Sequence, residues 1–209
     1  MRPLGRLRDA QVKIEWLKRI APTGDEGTRL YALSVVGDAD KWEERVREVL
    51  TEGSDRRFRP RNLKMKFPDR QPRSMQEKAA ALLAEQRRMV ESFREKAREE
   101  GDVESLHGMR LAFKKYRYSA EVLAPLFPSA NAATMRRLHA FQTLLGNLHD
   151  FDVLLAEAET FRRRVLGSEN DFVLVPRVRE VRRREFSRLV PLLSTASALS
   201  RRVFGKEFS

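Results

Sequence analysis

His107, Arg110, Lys114 and Arg117 recur in this chain at intervals of three, four and three residues. At about 100° per residue on a helix, the four fall within roughly 80° of arc. Met109, Phe113, Tyr116, Ala120 and Leu123 occupy the adjoining apolar face. A merely solvated helix scatters its charges over the far face and mixes their signs. Here the cations border the buried side, and only Glu121, one turn on, opposes them. Such a row suits a phosphate polyanion. Arginine offers a planar fork that grips phosphate oxygens bidentately, and lysine supplies a mobile point charge. Each helical turn rises about 5.4 Å, so successive side chains follow a linear chain of phosphates. His107 is equally open to a plainer role at the core edge, hydrogen-bonded to a neighbouring helix.

A second signal is an internal repeat. Leu4-Gly5-Arg6-Leu7-Arg8-Asp9-Ala10-Gln11-Val12 aligns with Leu145-Gly146-Asn147-Leu148-His149-Asp150-Phe151-Asp152-Val153, sharing Leu-Gly-x-Leu-x-Asp-x-x-Val. A glycine inside a helix costs about 1 kcal/mol against alanine unless a bend or a close backbone approach needs it. Meeting that cost twice in one frame suggests duplicated helical hairpins.

The elements that must carry these residues are helical, because apolar positions recur at three- and four-residue spacing and strand-like alternation is scarce. A first helix is expected from about Leu4 to Ile20. Asp25 then caps a short helix to Val36, and Asp38 caps another through Leu50, ended by Gly53. Residues 54–73, rich in proline, lysine and arginine, read as a basic loop or linker. Ser74 and Glu77 have capping-box spacing and open a helix to near Gly101. Asp102 caps the next, which runs to Leu126. Ser129 starts another that reaches about Leu166 with a kink at Gly146, and a last stretch from near Pro176 to Phe204 bends at Pro191. The expected fold is all-α, an antiparallel bundle of long helices.

Composition bounds the partners. The 209 residues include 42 basic and 30 acidic side chains, a net charge of +12, which favours polyanions without choosing among them. With no cysteine, disulfides and thiolate metal sites are excluded. His107, His139 and His149 show no i, i+4 pairing, so neither a metal nor a cofactor is expected. No apolar run approaches the ~18–20 residues that span a bilayer, and Met1 to Ala21 lacks the apolar core of a secretory signal. A soluble, cytoplasmic protein without membrane contact is the expectation.

His-x-x-Arg-x-x-x-Lys-x-x-Arg-Tyr (His107, Arg110, Lys114, Arg117, Tyr118) is followed by Leu-x-x-x-Gln-x-x-Leu-Gly-x-x-x-Asp-x-Asp-Val. The second motif is Leu138, Gln142, Leu145, Gly146, Asp150, Asp152 and Val153. Together they resemble the repeat signature of CHAD domains, a helical family named for characteristic histidines. The likeness covers 105–158 well and 4–20 in part, through Leu4, Gly5, Arg8, Asp9 and Val12. It implies two related helical-bundle repeats about a basic channel, binding of inorganic polyphosphate and, in some members, association with polyphosphate granules. On this basis residues 1–209 form one domain, with 1–53 a partial first repeat, 54–73 the linker and 74–209 the second repeat.

Carried over by position, the phosphate contacts are His107, Arg110, Lys114 and Arg117, with Arg8 from the first repeat. Arg6, Lys115, Arg136 and Arg137 are weaker candidates. The first repeat's own His-x-x-Arg helix is missing, which leaves a partner chain (hence an oligomer) or another segment to fill its place. The Arg-Asp pair of the first repeat, Arg8-Asp9, becomes His149-Asp150 in the second, making His149 either a phosphate contact or an ordinary helix hydrogen-bonder.

An enzyme is not expected. CHAD domains can be joined to a CYTH triphosphatase with a Glu-x-Glu-x-Lys strand, but Glu157-Ala158-Glu159 falls in a helical stretch and lacks the lysine. There is no Gly-rich phosphate loop and no nucleophile elbow. Sequence-independent nucleic-acid binding and a helical interaction scaffold remain the alternatives. Arg162–Arg164 and Arg182–Arg184 give a general phosphate footprint, but aromatic residues for base stacking are few.

Overall fold

The computed structural model describes residues 3–21, 25–53, 75–127, 130–167 and 172–194. Six α-helices carry them: α1 (Pro3–Ile20), α2 (Glu26–Gly53), α3 (Met75–Ser92), α4 (Val103–Leu123), α5 (Ala132–Phe161) and α6 (Leu174–Leu193). Short 3-10 turns lie at Lys96–Arg98 and Ala124–Leu126, and α5 ends in a π-helical turn, Arg162–Leu166. No strand occurs among the described residues, in keeping with the all-α expectation. The basic stretch 54–73, the Ser74 cap, Ser129 and the approach to Phe204 fall outside these residues.

Several boundaries differ from those expected, each for a physical reason. The two helices anticipated between Asp25 and Gly53 are one, α2. Its buried positions Tyr31, Val35, Ala39 and Val46 form one stripe that passes straight through Gly37-Asp38. Burial along a continuous face outweighs the local preference of Gly and Asp for a break. Asp25 does cap α2, its carboxylate accepting the Thr28 N–H at 3.0 Å.

Conversely, the helix expected to reach Gly101 stops at Ser92. The chain tightens there, with Phe93 N–H donating to Val90 O. The Phe93 ring lies against Gly108 of α4, so closely that a Cβ on Gly108 would sit 2.5 Å from it. Fully buried Ala97 follows in the 3-10 turn. Asp102 caps α4 as anticipated, accepting from Ser105 N–H at 2.8 Å, and that bond is the main cause holding its carboxyl below the usual range. At α5 the capping side chain is Asn131, whose Oδ1 accepts the N–H groups of Ala133 and Thr134. α5 then runs unbroken through Gly146, and Pro191 sits in the final turn of α6.

The chain divides into two compact units, Met1–Arg70 with Leu154–Arg179, and Gln71–Val153 with Glu180–Ser209. In the first, α1 and α2 pack on each other. Lys13 Nζ reaches Glu157 Oε2 at 2.6 Å, and the Tyr31 ring meets Phe161 at 5.2 Å and Phe172 at 6.2 Å, both edge-on. Leu154–Arg179 thus packs with the N-terminal part of the chain.

The second unit has its own core. Leu83 and Val90 of α3, Met109, Phe113, Tyr116 and Ala120 of α4, Leu138, Phe141, Leu145 and Leu148 of α5, and Leu189 and Leu193 of α6 are buried together. Phe113 and Phe141 meet edge to face at 4.7 Å. Arg182 of α6 and Asp152 of α5 form an ion pair with side chains only 7% and 10% exposed, and Arg182 also donates to Glu100 O at 3.0 Å.

In the first unit, burial of the Tyr31 phenol, reinforced by the Glu157 and Asp38 carboxylates, raises its pKa well above 10.0. The neutral phenol therefore contributes its full stability below pH 10. Above that the unfolded chain releases the proton more readily than the folded one, and stability falls as pH rises. Urea denaturation series from pH 8 to 11.5 should show a steeper alkaline loss for the native chain than for Tyr31→Phe.

Candidate polyanion-binding site

The basic row lies on α4, within the second unit, and its placement follows from the core beneath it. Met109, Phe113, Tyr116 and Ala120 are buried, which brings His107, Arg110 and Lys114 to the half-buried border of that face and turns Arg117 inward. The row is not uniform. Arg117 is only 7% exposed. Its Nε donates to Gln142 Oε1 on α5 and its Nη1 to Glu121. His139 on α5 lies 2.9 Å from the same Glu121 carboxylate through Nε2, and the guanidinium stacks 4.4 Å from the Tyr118 ring. These partners meet the requirement of a buried cation for hydrogen bonds and opposite charge. Arg117 is a tether between helices.

At the other end of the row His107 meets His149. Their rings are 4.8 Å apart between centroids and their Nδ1 atoms 3.3 Å apart. A hydrogen bond between them requires one ring to carry its proton on Nδ1 and the other to present a bare nitrogen there. The neighbouring-helix partner left open for His107 is thus His149, which aligns in sequence with Arg8 of the Leu-Gly motif. Between these two contacts stand Arg110 and Lys114, half-buried. Among the described residues neither has a hydrogen bond or ion pair, and Lys114 has only a distant approach to the Tyr118 ring at 5.9 Å. Two cations held at a buried edge without counter-charge attract an external anion more strongly than cations already paired.

The remaining candidates sit elsewhere. Lys115 and Arg136 are exposed. Arg137 donates to Thr134 Oγ1 at 3.1 Å and lines a cleft of about 540 Å³ between α5 and α6, over Phe141, Leu144 and Leu192. Arg6 and Arg8 are exposed on α1 in the first unit, Arg6 with its guanidinium 4.7 Å from the Trp42 ring. Of the two arginine triplets, Arg182–Arg184 is largely consumed in pairs, with Asp152, Glu100 and Glu180 as the partners. Arg162–Arg164 is exposed on the π-helical turn.

Sequence reasoning named Gln142 only as part of the family signature and His139 only as a histidine without an i, i+4 partner, and it brought neither to Arg117 nor His107 to His149. Gln142 and His149 stand seven residues apart, two turns along one helix face, and that spacing was the available signal. Only the antiparallel match of α4 to α5 tells which α4 residues they meet. No group of three or more His, Asp or Glu side chains suited to a metal ion occurs among the described residues. Nor is any helix there long and apolar enough to cross a membrane.

Comparison with known proteins agrees with the residues. No curated protein and no solved structure matches the chain, but the family model for the CHAD domain matches residues 1–159. The chain belongs to the CHAD domain family, a family of binding domains associated with polyphosphate.

Proposed function

We propose that this protein binds inorganic polyphosphate along the α4–α5 face of its second unit, without catalysing a reaction. The observation that carries this reading is the state of Arg110 and Lys114, half-buried and unpaired among the described residues, between the His107–His149 contact and the Arg117 tether. Arg110 supplies the bidentate fork and Lys114 the point charge. The histidine contact closes one end of the row, and the ring whose Nδ1 is bare carries its N–H on Nε2, one donor for a phosphate oxygen. Arg117 acts by position, holding α4 and α5 together so that the other cations stay in line. Arg8 takes the corresponding role in the first unit. The proposal extends to attachment to polyphosphate granules and a cytoplasmic location, as the family likeness implies.

Nucleic acid fits the same surface less well. Base recognition in single strands needs exposed aromatic faces. Phe113 and Tyr116 are buried, and Tyr118, though partly exposed, already lies beneath the Arg117 guanidinium. Phosphate contacts without stacking favour a polyanion that has no bases.

Two measurements test this. Arg110→Ala combined with Lys114→Ala should weaken polyphosphate binding by calorimetry at least ~10-fold, the scale of a lost charge-assisted hydrogen bond, while circular dichroism shows unchanged helicity. Unchanged affinity, or DNA that long-chain polyphosphate fails to displace at matched phosphate concentration, overturns the reading. Arg117→Met should instead lower folding stability by about 2 kcal/mol, because it removes hydrogen bonds to a buried charge. Its effect on binding should be partly restored by conditions that stabilise the fold.

A further inference from the structure

Gly146 lies in the interior of α5, where glycine destabilises a helix relative to alanine. The usual structural reasons for such a glycine are a positive φ or a neighbour that leaves no room for a side chain. Neither applies. The only positive-φ glycine among the described residues is Gly167, and a Cβ on Gly146 would meet nothing within 4 Å. Gly108, in the same unit, shows the opposite condition, with the Phe93 ring 2.5 Å from where its Cβ would be. The space at Gly146 is open.

Its position gives that space a meaning. Gly146 follows Gln142 by four residues and precedes His149 by three, so the three share a side of α5. Gln142 receives Arg117 of α4, and His149 meets His107 of α4. The two helices are therefore antiparallel between those contacts. The α4 stretch between them carries Arg110 and Lys114, and the α5 stretch carries Gly146. Open space alone does not mark a functional glycine, since Gly37 in α2 also faces nothing within 4 Å. What distinguishes Gly146 is that it lies between two α4–α5 contacts whose intervening α4 stretch carries two cations unpaired among the described residues.

We propose that Gly146 is the aperture of the phosphate site. The missing side chain keeps clear the room in which a phosphate group of the chain sits against Arg110 and Lys114. The helical N–H groups of α5 are engaged within the helix, so Gly146 acts by clearance and not by donating hydrogen bonds. This rests on the polyphosphate reading above. The same pattern recurs at Gly5 of α1, which also meets nothing within 4 Å and has Arg8 three residues on.

The test uses the full chain with Gly146→Ala and Gly146→Leu, and Gly37→Ala as control, each followed by urea denaturation and by calorimetry with polyphosphate of one defined length. All three substitutions should raise the denaturation midpoint, since they replace glycine by helix formers in open space. Affinity should fall by about threefold for Gly146→Ala and ~10-fold or more for Gly146→Leu, the scale of crowding a fitted site, with Gly37→Ala unchanged. Undiminished affinity in Gly146→Leu overturns the aperture while leaving polyphosphate binding intact. A lowered midpoint in Gly146→Leu also overturns it, because the space is then already filled. Absence of polyphosphate binding by the unsubstituted chain overturns both.

Discussion

A guanidinium held between two helices sets the geometry on which this site depends. Burying Arg117 removes a full positive charge from water, a cost that only opposite charge and well-placed acceptors offset. Gln142 from α5 and Glu121 from α4 provide them, and the two contacts that cross to α5, Arg117 with Gln142 and Glu121 with His139, fix which turn of α4 faces which turn of α5. Once that match is set, His107 falls opposite His149, and Arg110 and Lys114 are left facing a stretch of α5 with no acidic partner. The apolar core makes the same match from beneath, through Phe113 against Phe141. Polar and apolar contacts thus specify a single register, the consistency across levels that gives a unique fold.

Net charge is a poor guide to where such a protein binds its ligand. Many arginines are committed to neighbours on the same helix, as in Arg47 with Glu43 and Arg184 with Glu180. Exposed pairs of this kind add little stability, but they cancel much of the local field. Arg182 is buried with Asp152, where it braces α6 against α5 and is withdrawn from any ligand. The cations proposed to bind are those the fold keeps near the core and leaves unpaired among the described residues, Arg110 and Lys114.

The sequence by itself determined much of this. Three- and four-residue apolar spacing established an all-α fold, Asp102 marked the start of α4, and the His107–Arg117 row marked one helix face as a candidate for phosphate. The Leu-Gly repeat pointed to the family whose model matches residues 1–159. These features are local: they depend on helix periodicity and capping, which act within a few turns of chain. Local signals also misled where burial overruled them, as at Gly37-Asp38, where the continuous buried face of α2 carries the helix through.

Only the tertiary structure decided which members of the row are available. Spacing made Arg117 and Arg110 equivalent, seven residues apart on one face, yet one is a buried tether and the other stands unpaired. Likewise Gly108 and Gly146 both lie inside helices, but one is pressed by an aromatic ring and the other faces open space. The difference lies in what the next helix brings opposite each position. That is set by contacts between residues distant in sequence, 25 apart for Arg117 and Gln142 and 42 for His107 and His149, and no periodicity within a single helix records them.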